Sequence, residues 1–304
     1  KIIFTLTLFL LYQIPLYSKS ASFNDLNSKN LSKYFSGIVA LENNDNSSAL
    51  DFFRSSKILL HKHDPYLKRY VSTFVHEGKV SQAVNVIKQN LGKKNTNFFD
   101  AYLLLILDSL KKDNFDQANI YLSSAFEFSQ KERFNSVILH SLKQYIFLFK
   151  EKKILENKRD LGKLDNISET FQRCYLEDPR TDVHFSNLIN DNETDFSRYT
   201  YFYLTYLVEQ NRLADANEII DDIEFIDTSL LLSQGKSWIE NKNQQKLSRI
   251  FSCKNHNDLL SEFLFLISNL YSSEDNFQKS NYYLNLSNFL NPKFIFNLSL
   301  LAEN

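Results

Sequence analysis

Residues Phe98–Arg133, FFDAYLLLILDSLKKDNFDQANIYLSSAFEFSQKER, decide the fold. Tyr102, Leu105 and Ile106 recur at helical spacing in the first half, Lys111 to Phe115 make a polar break, and Ala118, Tyr121, Leu122 and Ala125 recur at helical spacing in the second. The pattern predicts two helices joined by a short turn, with small residues where they touch. Ala49, Ala83 and Ala118 lie 34 and 35 residues apart (83−49 and 118−83), enough chain for one hairpin each time. At a close helix crossing only a small side chain fits, and a larger one costs about 1–3 kcal/mol in overpacking. Helices this short are marginal alone, so stability must come from stacking on neighbours.

The pattern extends both ways. Upstream, Tyr34–Leu41, a turn at Asn43–Asn46 and Ser48–Leu60 form one unit, with Ala49, Phe52, Phe53 and Ser56 inward and Pro65 closing it. Leu67, Tyr70, Val71 and Phe74, a turn at Gly78-Lys79, then Ala83, Ile87 and Asn90 form a second. Downstream, Phe134–Lys150 and Ile167–Leu176 make a fourth unit, interrupted by a charged insertion, Glu151–Lys163, and followed by a polar loop at 179–195. Three further units are expected at Phe196–Ile226, Ser229–Lys254 and Asp258–Leu290. The middle one has Leu247 where the alanine is usual, which predicts a splayed or shifted hairpin. Phe294–Asn304 begins another helix, either a cap or a unit cut short. The chain thus divides into an N-terminal array, 32–178, and a C-terminal array, 196–304.

Only 5 Gly and 4 Pro punctuate the chain, which favours long helices over many short strands. With 35 basic and 36 acidic residues, the chain lacks the clustered positive excess of a nucleic-acid binder, and no nucleic-acid partner is expected. The stretch Ile2–Leu11 behind Lys1 is apolar apart from two threonines, and Ser18 and Ser20 precede Ala21. This reads as a secretory signal peptide over residues 1–20, or an N-terminal anchor if uncleaved. It is short for a membrane span, which needs about 20 residues. The expected location is outside the cytoplasm, periplasmic or envelope-associated, with membrane contact only through that segment.

The units resemble the tetratricopeptide repeat, a 34-residue helical hairpin. Gly37 and Gly235 match its small position 8, Gly78 and Asp275 its turn position 15, and Ala49, Ala83, Ala118 and Ala216 its position 20. Phe53, Ile87, Leu122, Ile220, Phe251 and Leu284 match position 24, Ala125 position 27 and Pro292 position 32. The resemblance implies an all-α fold, a right-handed superhelical solenoid of stacked hairpins. It also implies a concave groove lined by positions 2, 5, 9 and 12 of each first helix. Carried onto this sequence those positions include Tyr34, Ile38, Lys68, Ser72, Leu103, Leu107, Tyr201, Thr205, Leu232, Lys236, Phe265 and Asn269. Of these, Tyr34, Lys68, Leu103, Tyr201, Thr205, Lys236, Phe265 and Asn269 are the candidate contacts with a protein or peptide partner. Tyr34 and Ile38, then Lys68 and Ser72, depart from the basic and amide residues with which co-chaperone members clamp a terminal carboxylate, so no such clamp is expected.

Chemical motifs are sparse. His61, His63 and Asp64 cluster without a third or fourth ligand at useful spacing, so solvated helix-end histidines are expected and no metal site. His76, His140, His184 and His256 stand singly, and no nucleophile sits beside a base. Cys174 and Cys253 fall in the second helices of the fourth and sixth units, and stacked hairpins two repeats apart should hold them well beyond the roughly 7 Å Cα limit for a bridge, which predicts two buried thiols. The chain is therefore expected to be a non-catalytic, cofactor-free scaffold that binds a peptide or helix of an envelope protein. The alternative is a regulatory or targeting region of a longer enzyme whose catalytic domain lies beyond Asn304.

Overall fold

The computed structural model describes residues 27–156, 158–190, 196–222 and 229–300. The signal-peptide reading at residues 1–20 lies outside the described residues, as does the end of the C-terminal array at 301–304. Fifteen α-helices and no strand occur among the described residues: α1 Ser28–Glu42, α2 Asn46–Ser55, α3 Asp64–His76, α4 Val80–Asn90, α5 Phe99–Lys111, α6 Phe115–Ala125, α7 Asn135–Glu151, α8 Lys163–Tyr175, α9 Thr181–Ile189, α10 Phe196–Glu209, α11 Leu213–Asp222, α12 Leu230–Glu240, α13 Gln245–Ile250, α14 His256–Ser272 and α15 Phe277–Leu290. None of these helices is long and apolar enough to cross a membrane.

One turn geometry organises them. Asn44, Gly78, Asp113, Glu177, Asn211, Lys242 and Asp275 all have φ between 53° and 69°, the left-handed region. At each, the next N–H reaches back five residues to a helix carbonyl: Asp45 to Ala40 at 2.9 Å, Lys79 to Phe74 at 2.8 Å, Asn114 to Ser109 at 2.9 Å, and likewise at 178, 212, 243 and 276. This Schellman closure satisfies the carbonyls orphaned at a helix end and reverses the chain. The side chains of Asp45, Asn114 and Asn276 then cap the following helix by accepting from Ser48, Gln117 and Lys279 N–H. The result is seven hairpins, α1–α2, α3–α4, α5–α6, α8–α9, α10–α11, α12–α13 and α14–α15, with α7 unpaired between the third and fourth.

Five residues beyond the left-handed residue stand Ala49, Ala83, Ala118, Ala216, Leu247 and Ser280, all completely buried. Facing them, a Cβ on Gly37 would meet the Phe53 ring at 3.2 Å, so the close approach predicted from the alanines is present. In α14–α15 the same role falls to hydroxyls: Ser261 pairs with Ser287 at 2.9 Å and Ser268 with Ser280 at 2.8 Å, which lets the two helices lie close with these four hydroxyls paired.

Four expectations need correction. The stretch 179–195 is not a loop throughout, because α9 occupies Thr181–Ile189 as the second helix of the α8–α9 hairpin. Its buried stripe, Thr181, Phe185 and Leu188, is offset by one residue from the alanine column, where Asp182 stands. Consequently α7 and α8 do not form a hairpin together. Phe52, expected inward, is 38% exposed, the inward face of α2 being Ala49, Leu50 and Phe53. Finally, Cys174 and Cys253 form a disulfide with Cα atoms 5.6 Å apart.

The disulfide follows from a reversal that stacking in order does not anticipate. Consecutive helices pack in chain order from α1 to α7 and again from α8 to α11, and α12 and α13 both pack on α10. Then α13 ends after only six residues, and the extended Phe251 carries the chain back across the molecule. The Phe251 ring packs on Phe202 at 4.1 Å and Phe171 at 5.8 Å, Cys253 bonds Cys174 on α8, and His256 Nε2 lies 3.0 Å from the Leu110 carbonyl at the end of α5. The last hairpin therefore folds back onto the first helices of the N-terminal units. Lys279 of α15 pairs with Asp100 at the start of α5, while Lys111 at its end donates to the Phe289 carbonyl, so the two helices run side by side in the same direction. Asn285 reaches the His76 carbonyl on α3 at 3.3 Å, and α14 lies against α7 and α8. At the other end of the seam, Arg198 of α10 forms a buried two-pronged pair with Glu262 of α14, its guanidinium 3.8 Å over the Phe265 ring.

Candidate functional site: a charged cleft at the seam

The fold-back decides what the expected groove residues can do. Tyr34 is buried among the rings of Phe53, His63 and Tyr66. Leu103 is fully buried on α5, the helix beside which α15 lies. Tyr201 and Thr205 are buried on α10, where the Thr205 hydroxyl donates to the Tyr201 carbonyl at 2.9 Å. Phe265 is covered by Arg198. Lys236 is half-buried, 4.0 Å from Glu240 of its own helix, and Asn269 is half-buried near the end of α14. In this arrangement Tyr34, Leu103, Tyr201, Thr205 and Phe265 offer no surface to a partner. Lys68 does, and it lies in an open cleft together with Ser72.

That cleft, of about 300 Å³, opens where α15 begins beside α1, α3 and α5. Its cations are Lys68, Arg69 and Lys279, and its anions Glu42, Asp100 and Glu132. Lys279 sits between two carboxylates, 3.1 Å from Glu132 and 3.7 Å from Asp100. Burial pulls the Lys279 pKa down, but the two carboxylates outweigh burial and raise it. At the rim, Lys68 is 4.0 Å from Glu132 and Arg69 3.9 Å from Glu42, exposed pairs worth little in water. Asp100 is 5% exposed, and its Oδ1 has no hydrogen-bond partner. A second concavity of about 460 Å³ continues from Glu42 and Gln278 along Glu274, Asp275 and Asn281, and Arg133 pairs with Glu274 across the seam.

Behind the cleft, the His76 ring packs edge-on against Tyr282 at 5.7 Å. Burial, helped by the Lys279 charge, pushes its pKa down to about 4. The sequence carries a signal for this region that periodicity alone misses: Asp100 stands at the head of an otherwise apolar run, and a carboxylate there must find a partner or stay costly. Its partner, Lys279, lies 179 positions away in sequence (279−100). The His61, His63 and Asp64 cluster resolves into a turn in which the His63 ring packs on Tyr34. Among the described residues no group of three or more His, Cys, Asp or Glu is placed to hold a metal ion.

These features define an all-helical protein of hairpins with a two-signed charged cleft at its seam. Comparison of the chain with protein-family models, with curated proteins and with solved structures finds no match to any of the three.

Proposed function

We propose that the protein is a non-catalytic binding scaffold of the tetratricopeptide-repeat kind, exported to an envelope compartment, which holds a segment of a partner protein at the α1–α3–α15 cleft. The Schellman turns support the repeat reading, since Asn44, Gly78 and Asp113 are 34 and 35 residues apart (78−44 and 113−78), as are the small residues that follow them. The Cys174–Cys253 bridge supports export, because structural disulfides persist in oxidising compartments. One observation carries the binding reading: α15 already packs on α3 and meets α5 through Lys279–Asp100 and Lys111–Phe289, and the cleft is the part of that face left open. A partner helix or extended segment bearing both charges suits it, its cations meeting Glu42 and Glu132 and its carboxylates meeting Lys68 and Arg69.

The test compares wild-type protein with a Lys68→Glu, Arg69→Glu double variant as bait in an envelope extract, with thermal melts as the fold control. Retention of a partner by the wild type and its loss from an equally stable variant is the expected result. Equal retention by both sends the binding surface elsewhere.

A further inference from the structure

We propose that a second, cationic pocket on α7 binds a phosphate-sized oxyanion. This proposal does not rest on the seam cleft. The pocket, of about 310 Å³, is lined by His140, Lys143 and Gln144 of α7 and by Leu155, Lys158 and Arg159 of the charged insertion. Ser136, His140, Lys143 and Gln144 share one helical face by their spacing, and the insertion crosses that face, with Arg159 Nη1 donating to Ser136 Oγ at 2.6 Å. The sequence singles out this insertion as an interruption of the repeats, and the hairpin architecture does not use it.

The charge balance points to an anion. Three nearby carboxylates are engaged: Glu169 holds Lys158 at 3.0 Å and also Arg173, Asp165 accepts from Gln144 Nε2 at 3.3 Å and from Leu161 N–H at 2.9 Å, and Asp160 accepts from Gly162 N–H at 2.8 Å, while Glu151 and Glu156 of the insertion do not line the pocket. Neither Lys143 nor Arg159 is paired with a carboxylate among the described residues, so positive charge is left over in a concave site. His140 Nδ1 lies 2.7 Å from the Ser136 carbonyl, which places a proton on Nδ1 and leaves Nε2 of the neutral ring as an acceptor, suited to the P–OH oxygen of a protonated phosphate. An Arg fork, a Lys point charge and a His ring are together suited to a tetrahedral oxyanion. Leu155 adds an apolar wall for a carbon substituent on that group.

The experiment is isothermal titration of the full chain with inorganic phosphate and, separately, with phenyl phosphate, at constant ionic strength balanced with chloride. One saturable site is expected. Tighter binding of phenyl phosphate assigns a carried phosphoryl group, and equal or tighter binding of inorganic phosphate assigns the free ion. Losing one charge-assisted hydrogen bond weakens binding about tenfold or more, and that is the expected effect of Arg159→Gln. Lys143→Gln, at an exposed position outside the core, should weaken binding in the same direction without touching the fold. Absence of a saturable heat for both ligands, or unchanged affinity in both variants, overturns the proposal.

Discussion

Replacing Cys174 and Cys253 together by alanine probes the reversal on which the arrangement depends. The bridge closes a loop with a sequence separation of 79 residues. Chain-entropy reasoning for a loop of that length gives about 4.5 kcal/mol of stabilisation through the unfolded state, with observed losses more often about 2–4 kcal/mol. Both half-cystines are buried, at 1% and 2% exposure, so alanine leaves no unsatisfied polar group, and the reduced wild type separates loss of the cross-link from loss of buried sulfur volume. Urea unfolding should show the variant less stable by about 2–4 kcal/mol, with a steeper denaturant dependence because its unfolded chain exposes more surface. The wild type with reductant should approach the variant. Two free thiols titrating in wild-type protein denatured without reductant, or coincident curves for the two proteins, would refute the reversal at Phe251–Cys253.

Three further outcomes follow from buried groups. Arg198→Ala leaves Glu262, 1% exposed, without its guanidinium partner, and should cost about 3–5 kcal/mol; a thermal melt within experimental error of wild type contradicts this. His76 has its folded pKa lowered to about 4 from an ordinary value near 6.5. Its contribution is therefore intact above pH 6.5 and is lost as pH falls toward 4. Between pH 7.5 and pH 5 this amounts to about 2 kcal/mol, which His76→Phe should remove from the urea stability difference; an equal acid loss in the variant counts against it. Asp258 works in the opposite sense, since burial pushes its carboxyl up to about 7 and stability falls as pH rises from the carboxylate range to 7, but this cancels in the comparison of His76→Phe with wild type. Gly37→Val forces a side chain against the Phe53 ring, 3.2 Å from the glycine's Cβ position, and should cost about 1–3 kcal/mol by urea titration; no loss would show α1 and α2 packing less closely.

The hairpins were legible because their two requirements are local: a left-handed turn residue and a small residue five positions later. The same rule hid α9, whose place in the column holds Asp182. That aspartate instead accepts from Arg212 at 2.8 Å and from the Tyr203 hydroxyl at 2.9 Å, while the buried stripe moves one residue over. The fold-back was not legible, because α14–α15 carries the pattern of one more unit and nothing local says which face it will meet. Its markers are pairs far apart in sequence, Asp100 with Lys279 and Arg198 with Glu262, whose partners periodicity cannot supply. The disulfide escapes a sequence reading for the same reason, since in an unbroken stack two units stand too far apart for a bridge. Of the expected groove residues, Lys68 reached the open cleft because it stands where α15 begins, whereas Leu103 and Tyr201 lie on helices enclosed by later ones.

Zero-length carbodiimide coupling of the isolated monomer, followed by peptide mass mapping, tests the fold-back most directly. Lys150 with Asp116, 2.7 Å apart between units adjacent in sequence, serves as the internal control. The account predicts a coupled pair joining Lys279 to Glu132 or Asp100. Coupling of the control pair, with every α14–α15 peptide joined only to its neighbours in chain order, would contradict it.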